Sequence, residues 1–154
     1  MKKLFVLGLG LTLTGCVATT RIGEEPPERR IIATDKAPAA IAAYSQGVQV
    51  GHTLYLAGQI GLDPATRELA PGGIEAETRR SLDNCKAVLE AAGFTLKDVV
   101  QVQVLLADIN DYNALNQIYV TYFPENPPAR AAYAVAALPR GARVEVLMTA
   151  VKGE

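Results

Sequence analysis

The sequence holds no tryptophan, a single histidine and only two cysteines in 154 residues. Each scarcity excludes a class of chemistry. Cys16 and Cys85 cannot by themselves build a metal site of known ligand spacing, and His52 is the lone imidazole. Zinc catalysis, a Cys–His pair and a Ser–His–Asp triad are excluded together. Lysine and arginine form no stripe, and aromatics make up 6% of the chain, so no nucleic-acid partner is expected. What is present is an ordinary globular composition, 49% hydrophobic and 20% charged, enough for one domain with a real core. The formal net charge is −1; without Lys2 and Lys3 it becomes −3, from 13 basic and 16 acidic residues.

The amino terminus reads as an address. Met1-Lys2-Lys3 is a short basic start, and residues 4–14 form an apolar run of signal-peptide length. A bilayer span needs ~20 apolar residues, so this run is too short to cross one. It ends Leu13-Thr14-Gly15-Cys16, which resembles a bacterial lipobox. The chemistry suits the residues: the Cys16 thiolate would accept a diacylglyceryl group, and Gly15 is small enough for a peptidase to close on the bond. Residues 1–15 are therefore expected to be a lipoprotein signal peptide, with Cys16 the lipidated residue. Residues 16–29, polar and carrying Pro26-Pro27, are expected to be a tether, and residues 30–154 the domain. Val17 is not Asp, which by the same resemblance favours a periplasmic domain anchored to the outer membrane by its lipid alone.

Periodicity outlines the domain. Residues 30–34, 44–50 and 53–59 are expected strands, the second and third joined at Gly51-His52, which leaves His52 an exposed turn residue. Ile74, Thr78, Leu82, Cys85, Val88, Leu89 and Ala92 follow a helical period that Gly93 stops, and Cys85 is expected to be a buried packing residue. Residues 99–106 alternate as a strand. Asn110 can cap a second helix with Tyr112, Leu115, Ile118, Tyr119 and Tyr122 on one face, closed by Pro124. Residues 143–151 alternate cleanly, Val144, Val146, Met148 and Ala150 against Arg143, Glu145, Leu147 and Thr149. Residues 129–138 stay open: alanine favours helix, while the flanking prolines leave room for either form. The pattern predicts an α+β domain, a single mixed β-sheet of about six strands with two helices packed on one face. A strand of alanines would present a face too small to fill a core alone, which points to an oligomer.

Four patches resemble the RidA (YjgF) family, in its order and spacing. They are Ala37-Pro38-Ala39-Ala40-Ile41 with Tyr44-Ser45-Gln46-Gly47; Leu56-Ala57-Gly58-Gln59-Ile60; Ser81-Leu82-Asp83-Asn84 with Leu89-Glu90-Ala91-Ala92-Gly93; and Pro128-Ala129-Arg130-Ala131-Ala132-Tyr133 with Leu138-Pro139 and Val144-Glu145-Val146. The resemblance implies a homotrimer with active sites between subunits, no cofactor and no metal, and hydrolysis of 2-imino acids to 2-oxo acids and ammonia. It also implies a strand for residues 129–138. Arg130 matches the arginine that holds the substrate carboxylate, a role suited to a planar cationic fork. Glu145 matches the acid that orients or deprotonates water. Tyr44 matches a tyrosine that closes over the ligand, Gly58 a backbone contact and Asn116 a polar residue near the ligand. Ala132 stands where many relatives carry Cys, which keeps a main-chain carbonyl and removes thiol chemistry. Ala57 stands where Ser is common. Two alternatives remain beside the 2-iminobutanoate/2-iminopropanoate deaminase reading: a non-catalytic small-molecule-binding or interaction module, and a structural lipoprotein of the envelope.

Overall fold

The computed structural model of the chain describes residues 27–153. The expected signal peptide, the lipidated Cys16 and most of the tether lie outside them.

One sheet carries the domain. Its strands are β1 (Arg29–Ile32), β2 (Gly47–Val50), β3 (Thr53–Leu56), β4 (Gln59–Ile60), β5 (Val99–Leu106), β6 (Ala129–Ala134) and β7 (Val144–Val151). The order is β1-β2-β3-β7-β5-β6, with β4 also on β7. All pairs are antiparallel except β5 with β6. A parallel pair needs a crossover, and α2 (Tyr112–Tyr122) supplies it. α1 (Gly73–Ala91) joins β4 to the second half of the sheet. The architecture is the expected one, with seven strands where about six were foreseen. The extra strand comes from a break in the run 53–59: from Tyr55 to Gln59 is four steps, while their β7 partners Thr149 and Val146 are three apart. One additional residue is thus inserted at Ala57–Gly58, a bulge that bends the strand and redirects its backbone.

The core lies between the sheet and the helices. Leu82, Cys85, Val88 and Leu89 of α1 and Leu115 of α2 are fully buried over Val102, Val104, Leu106, Val144 and Ala150. The Cys85 thiol lies in this layer and burial pushes its pKa far up, so it packs as an apolar group. Gly93 ends α1 at φ +81°. Its N–H bonds the Glu90 carbonyl at 2.9 Å and that of Phe94 the Leu89 carbonyl at 2.8 Å, a Schellman closure.

Three expectations need correction. Asn110 does not cap α2: it sits inside a 3₁₀ turn, and its own N–H bonds the Asp108 carboxylate at 2.9 Å. Tyr44 is not in a strand, since β2 begins at Gly47. The loop before β2 is instead held by buried Gln46, whose amide bonds the Thr34 N–H and the carbonyls of Thr34, Ala37 and Pro38 at 2.6–3.2 Å. Tyr112 leaves the buried face of α2 and is exposed. The alanine-rich segment is a strand over residues 129–134, as the family resemblance implied. Alanine gains at most ~0.7 kcal/mol per residue in a helix over ordinary residues. Six register pairs with β5, from Gln101↔Ala129 to Leu106↔Ala134, outweigh that preference.

Candidate active site

Alternation along the strands decides which residues can meet. Val102, Val104 and Leu106 of β5 face the helices, and their partners on β6 are Arg130, Ala132 and Ala134. Arg130 therefore rises on the helix side. Glu145 pairs with Leu105 of β5 and with Ile60 of β4, and its neighbours Val144 and Val146 are the buried ones. It points to the opposite face. Two strand spacings and three residues separate the two positions, roughly 14 Å along the sheet. One chain cannot bring both groups to one small ligand.

The arginine side is built by α2. Tyr112, Asn116 and Tyr119 recur at helical spacing and share the face turned to β6. Arg130 Nη2 donates to Asn116 Oδ1 at 2.7 Å and to the Tyr112 hydroxyl at 3.2 Å. Its guanidinium carbon lies 4.4 Å from the centre of the Tyr119 ring and 5.6 Å from that of Tyr112. The cation is thus stacked and oriented before any ligand arrives. Both side-chain bonds use Nη2; Nε and Nη1 make none among the described residues. The guanidinium borders a cavity of about 480 Å³ lined by Ile109, Asn110, Tyr112, Asn113, Arg130 and Ala132. The 3₁₀ turn before α2 is anchored to the residue preceding β7 by a fork from Arg143 to Asp111, with contacts of 2.8–3.1 Å.

The carboxylate side is built by the bulge. Glu145 is half-buried at the wall of a second cavity, of about 400 Å³, which also touches Tyr44, Ile41, Gly58, Pro139 and Arg140. Desolvation raises its pKa, with no offsetting charge or hydrogen bond. Gly58 explains how the carboxylate fits. A Cβ there would collide with Glu145 Oε1 and come within 2.7 Å of the carboxyl carbon. The Gly58→Ala variant is accordingly expected to displace the carboxylate and lower turnover at least about tenfold with an unchanged circular dichroism spectrum. Full activity in that variant would show that the carboxylate position is immaterial.

Of the residues singled out from sequence, Arg130, Asn116 and Ala132 thus gather on one side of the sheet, and Glu145, Gly58 and Tyr44 on the other. The grouping was not visible in the spacing. Tyr112 and Arg140 were missed as cavity residues. For Tyr112 a signal existed, its place four residues before Asn116 on one helix.

The comparisons with known proteins agree with this frame. Residues 34–152 match the family model described as Endoribonuclease L-PSP. The chain belongs to the RidA (YjgF) family. A Rattus norvegicus protein named 2-iminobutanoate/2-iminopropanoate deaminase is 54% identical over 125 residues, covering 81% of this chain and 91% of that protein. The crystal structure of RidA from an Antarctic Psychrobacter is 47% identical, with a TM-score of 0.77 over 80% of this chain and 99% of that one. Escherichia coli TdcF with bound serine is 35% identical, with a TM-score of 0.78 over 80% and 99% of the two chains. In this RidA-family domain the four patches read from sequence all fall within the matched residues.

Proposed function

We propose that this chain hydrolyses reactive 2-imino acids of the 2-iminopropanoate and 2-iminobutanoate class, at sites shared between copies in a homotrimer. The observation that carries the reading is the division of the machinery between the two sheet faces. A preorganised arginine fork opens on one face, and a desolvated carboxylate held against Gly58 stands on the other. Assembly would bring Arg130 of one copy to Glu145 of a neighbour. The uncovered face of the sheet supports assembly too: Tyr55 and Tyr133 are 52% and 44% exposed there, beside half-buried Leu105 and Leu147.

The chemistry asks little of the protein. Arg130 would pair the substrate carboxylate, and Asn116 and Tyr119 keep the fork from turning. Tyr44 and Gly58 would close over the ligand, and the Ala132 main chain would line its other side. Glu145 would take a proton from water as its oxygen bonds the imine carbon, and the C=N π pair would pass to nitrogen. Glu145 then returns that proton to the carbinolamine nitrogen, and ammonia leaves as the carboxylate takes the hydroxyl proton and the C=O bond forms, giving the 2-oxo acid. Positioning supplies most of the gain, because the iminium carbon is already electrophilic. No step needs a metal or cofactor. Release of ammonia from 2-iminobutanoate by the purified chain, faster than in buffer, is the expected result. Tight 2-oxo acid binding without acceleration would assign the domain to the binding modules instead.

We also propose that the domain is held in the periplasm through lipid on Cys16, more readily at the outer membrane. Cys16→Ser is expected to abolish palmitate labelling and to move the protein from the membrane to the soluble fraction. Persistent labelling of that variant would remove the lipobox reading and leave the enzymatic one untouched.

A further inference from the structure

The cavity before Arg130 contains a polar group to which neither the motifs nor the family resemblance gives a role. Tyr112 opens α2 one turn ahead of Asn116 and is 38% exposed, whereas Leu115, Ile118 and Tyr119 of that helix are buried. Its ring does little for the core, and its hydroxyl is directed at the arginine instead. Arg130 Nη2 donates to the phenol oxygen at 3.2 Å. The Asn116 amide, hydrogen-bonded beside it, and Arg130 together hold the phenol pKa below its ordinary value. A phenol oxygen that accepts from Arg130 still carries one proton to donate. Tyr112 and Arg130 line the same cavity, so the phenol and the guanidinium border one space.

We propose that Tyr112 is a second carboxylate-binding residue, whose O–H donates to the ligand carboxylate that Arg130 pairs and so fixes the tilt of its plane. The inference rests on the imino-acid reading of the site and deepens it. Arginine alone pairs a carboxylate in the plane of its fork but leaves the ligand free to rock about that axis. A donor from the ring edge of α2 removes this freedom. It thereby holds the imine carbon in line for water delivered from the other copy.

Tyr112→Phe keeps the ring beside Arg130 and deletes only the hydroxyl, which makes it the natural test. The detergent-solubilised full chain is titrated with 2-oxobutanoate by calorimetry, and 2-iminobutanoate turnover is measured in parallel. The phenylalanine variant is expected to bind about tenfold more weakly or worse, as suits one lost hydrogen bond to a charged partner. Its KM should rise by a similar factor and its kcat should fall severalfold as the imine carbon loses its alignment, while its unliganded thermal midpoint should not move. A pH series supplies a readout that packing would not alter. As the wild-type phenol ionises it loses its donor and faces the ligand with like charge, so affinity should fall on the alkaline side. Among the described residues, Arg130 is the one charged group acting on this phenol. In the proposed trimer Glu145 of a neighbouring copy would also face the ligand, and desolvation raises its pKa. In Tyr112→Phe the alkaline decline should vanish. Equal affinity and an equal decline in both proteins would overturn the role of Tyr112 and spare the deaminase reading. Wild-type binding without turnover would do the reverse, and no wild-type binding would overturn both.

Discussion

Replacing Glu145 with glutamine is expected to lower imine turnover about 100-fold or more, while 2-oxo acid binding survives. Glutamine keeps the shape that fits against Gly58 and cannot take a proton. The wild-type pH profile should carry the same signature. Burial raises the Glu145 pKa above its ordinary value. The ionised form is therefore lost earlier on acidification than for an exposed glutamate, and turnover should fall as pH drops through that raised value. The glutamine variant should show no such acid limb in its residual rate. An acid limb that persists unchanged in Glu145→Gln would assign the base elsewhere, and Glu145 would then be at most a wall of the cavity.

The second large effect concerns where the site is assembled. Arg130→Ala alone should weaken 2-oxo acid binding about ten- to a hundredfold, the cost of one charge-assisted pair. The informative experiment mixes it with Glu145→Gln. Each variant by itself is expected to be nearly inactive. Co-expressed in equal amounts as random trimers, about a quarter of the sites would join an intact Arg130 from one copy to an intact Glu145 from the next. Activity should return to about a quarter of wild type. A site contained within one chain could never be restored in this way, because every chain would lack one of the two groups. Lasting inactivity of the mixture, with co-assembly confirmed by native mass spectrometry, would therefore defeat the shared-site arrangement. This outcome is the sharper of the two, because it tests the sheet geometry rather than the importance of either side chain. It also separates a catalytic failure from a failure to bind, since 2-oxo acid affinity can be read on the same mixture.

The parts of this protein that follow from local pattern were legible in its sequence. The buried stripe of α1 and its Gly93 stop depend on neighbours three and four residues apart, and the alternation of β7 depends on every second residue. Cys85 was placed as packing and is fully buried. The four motif patches carried the family, and with it the strand at residues 129–134 that alanine propensity did not favour. What depends on register was out of reach. The bulge at Ala57–Gly58 exists only because β3 and β4 share β7 with one residue to spare, and it sets Gly58 against Glu145. The loop bearing Tyr44 is shaped by Gln46 reaching back to Thr34, Ala37 and Pro38, contacts that span 8–12 residues and leave no periodic trace. The family resemblance nominated Arg130 and Glu145. Only the pairing of β6, β5 and β7 put them on opposite faces of one sheet, because the side-chain direction of a strand residue is defined by its partners, and those partners are far away in the chain.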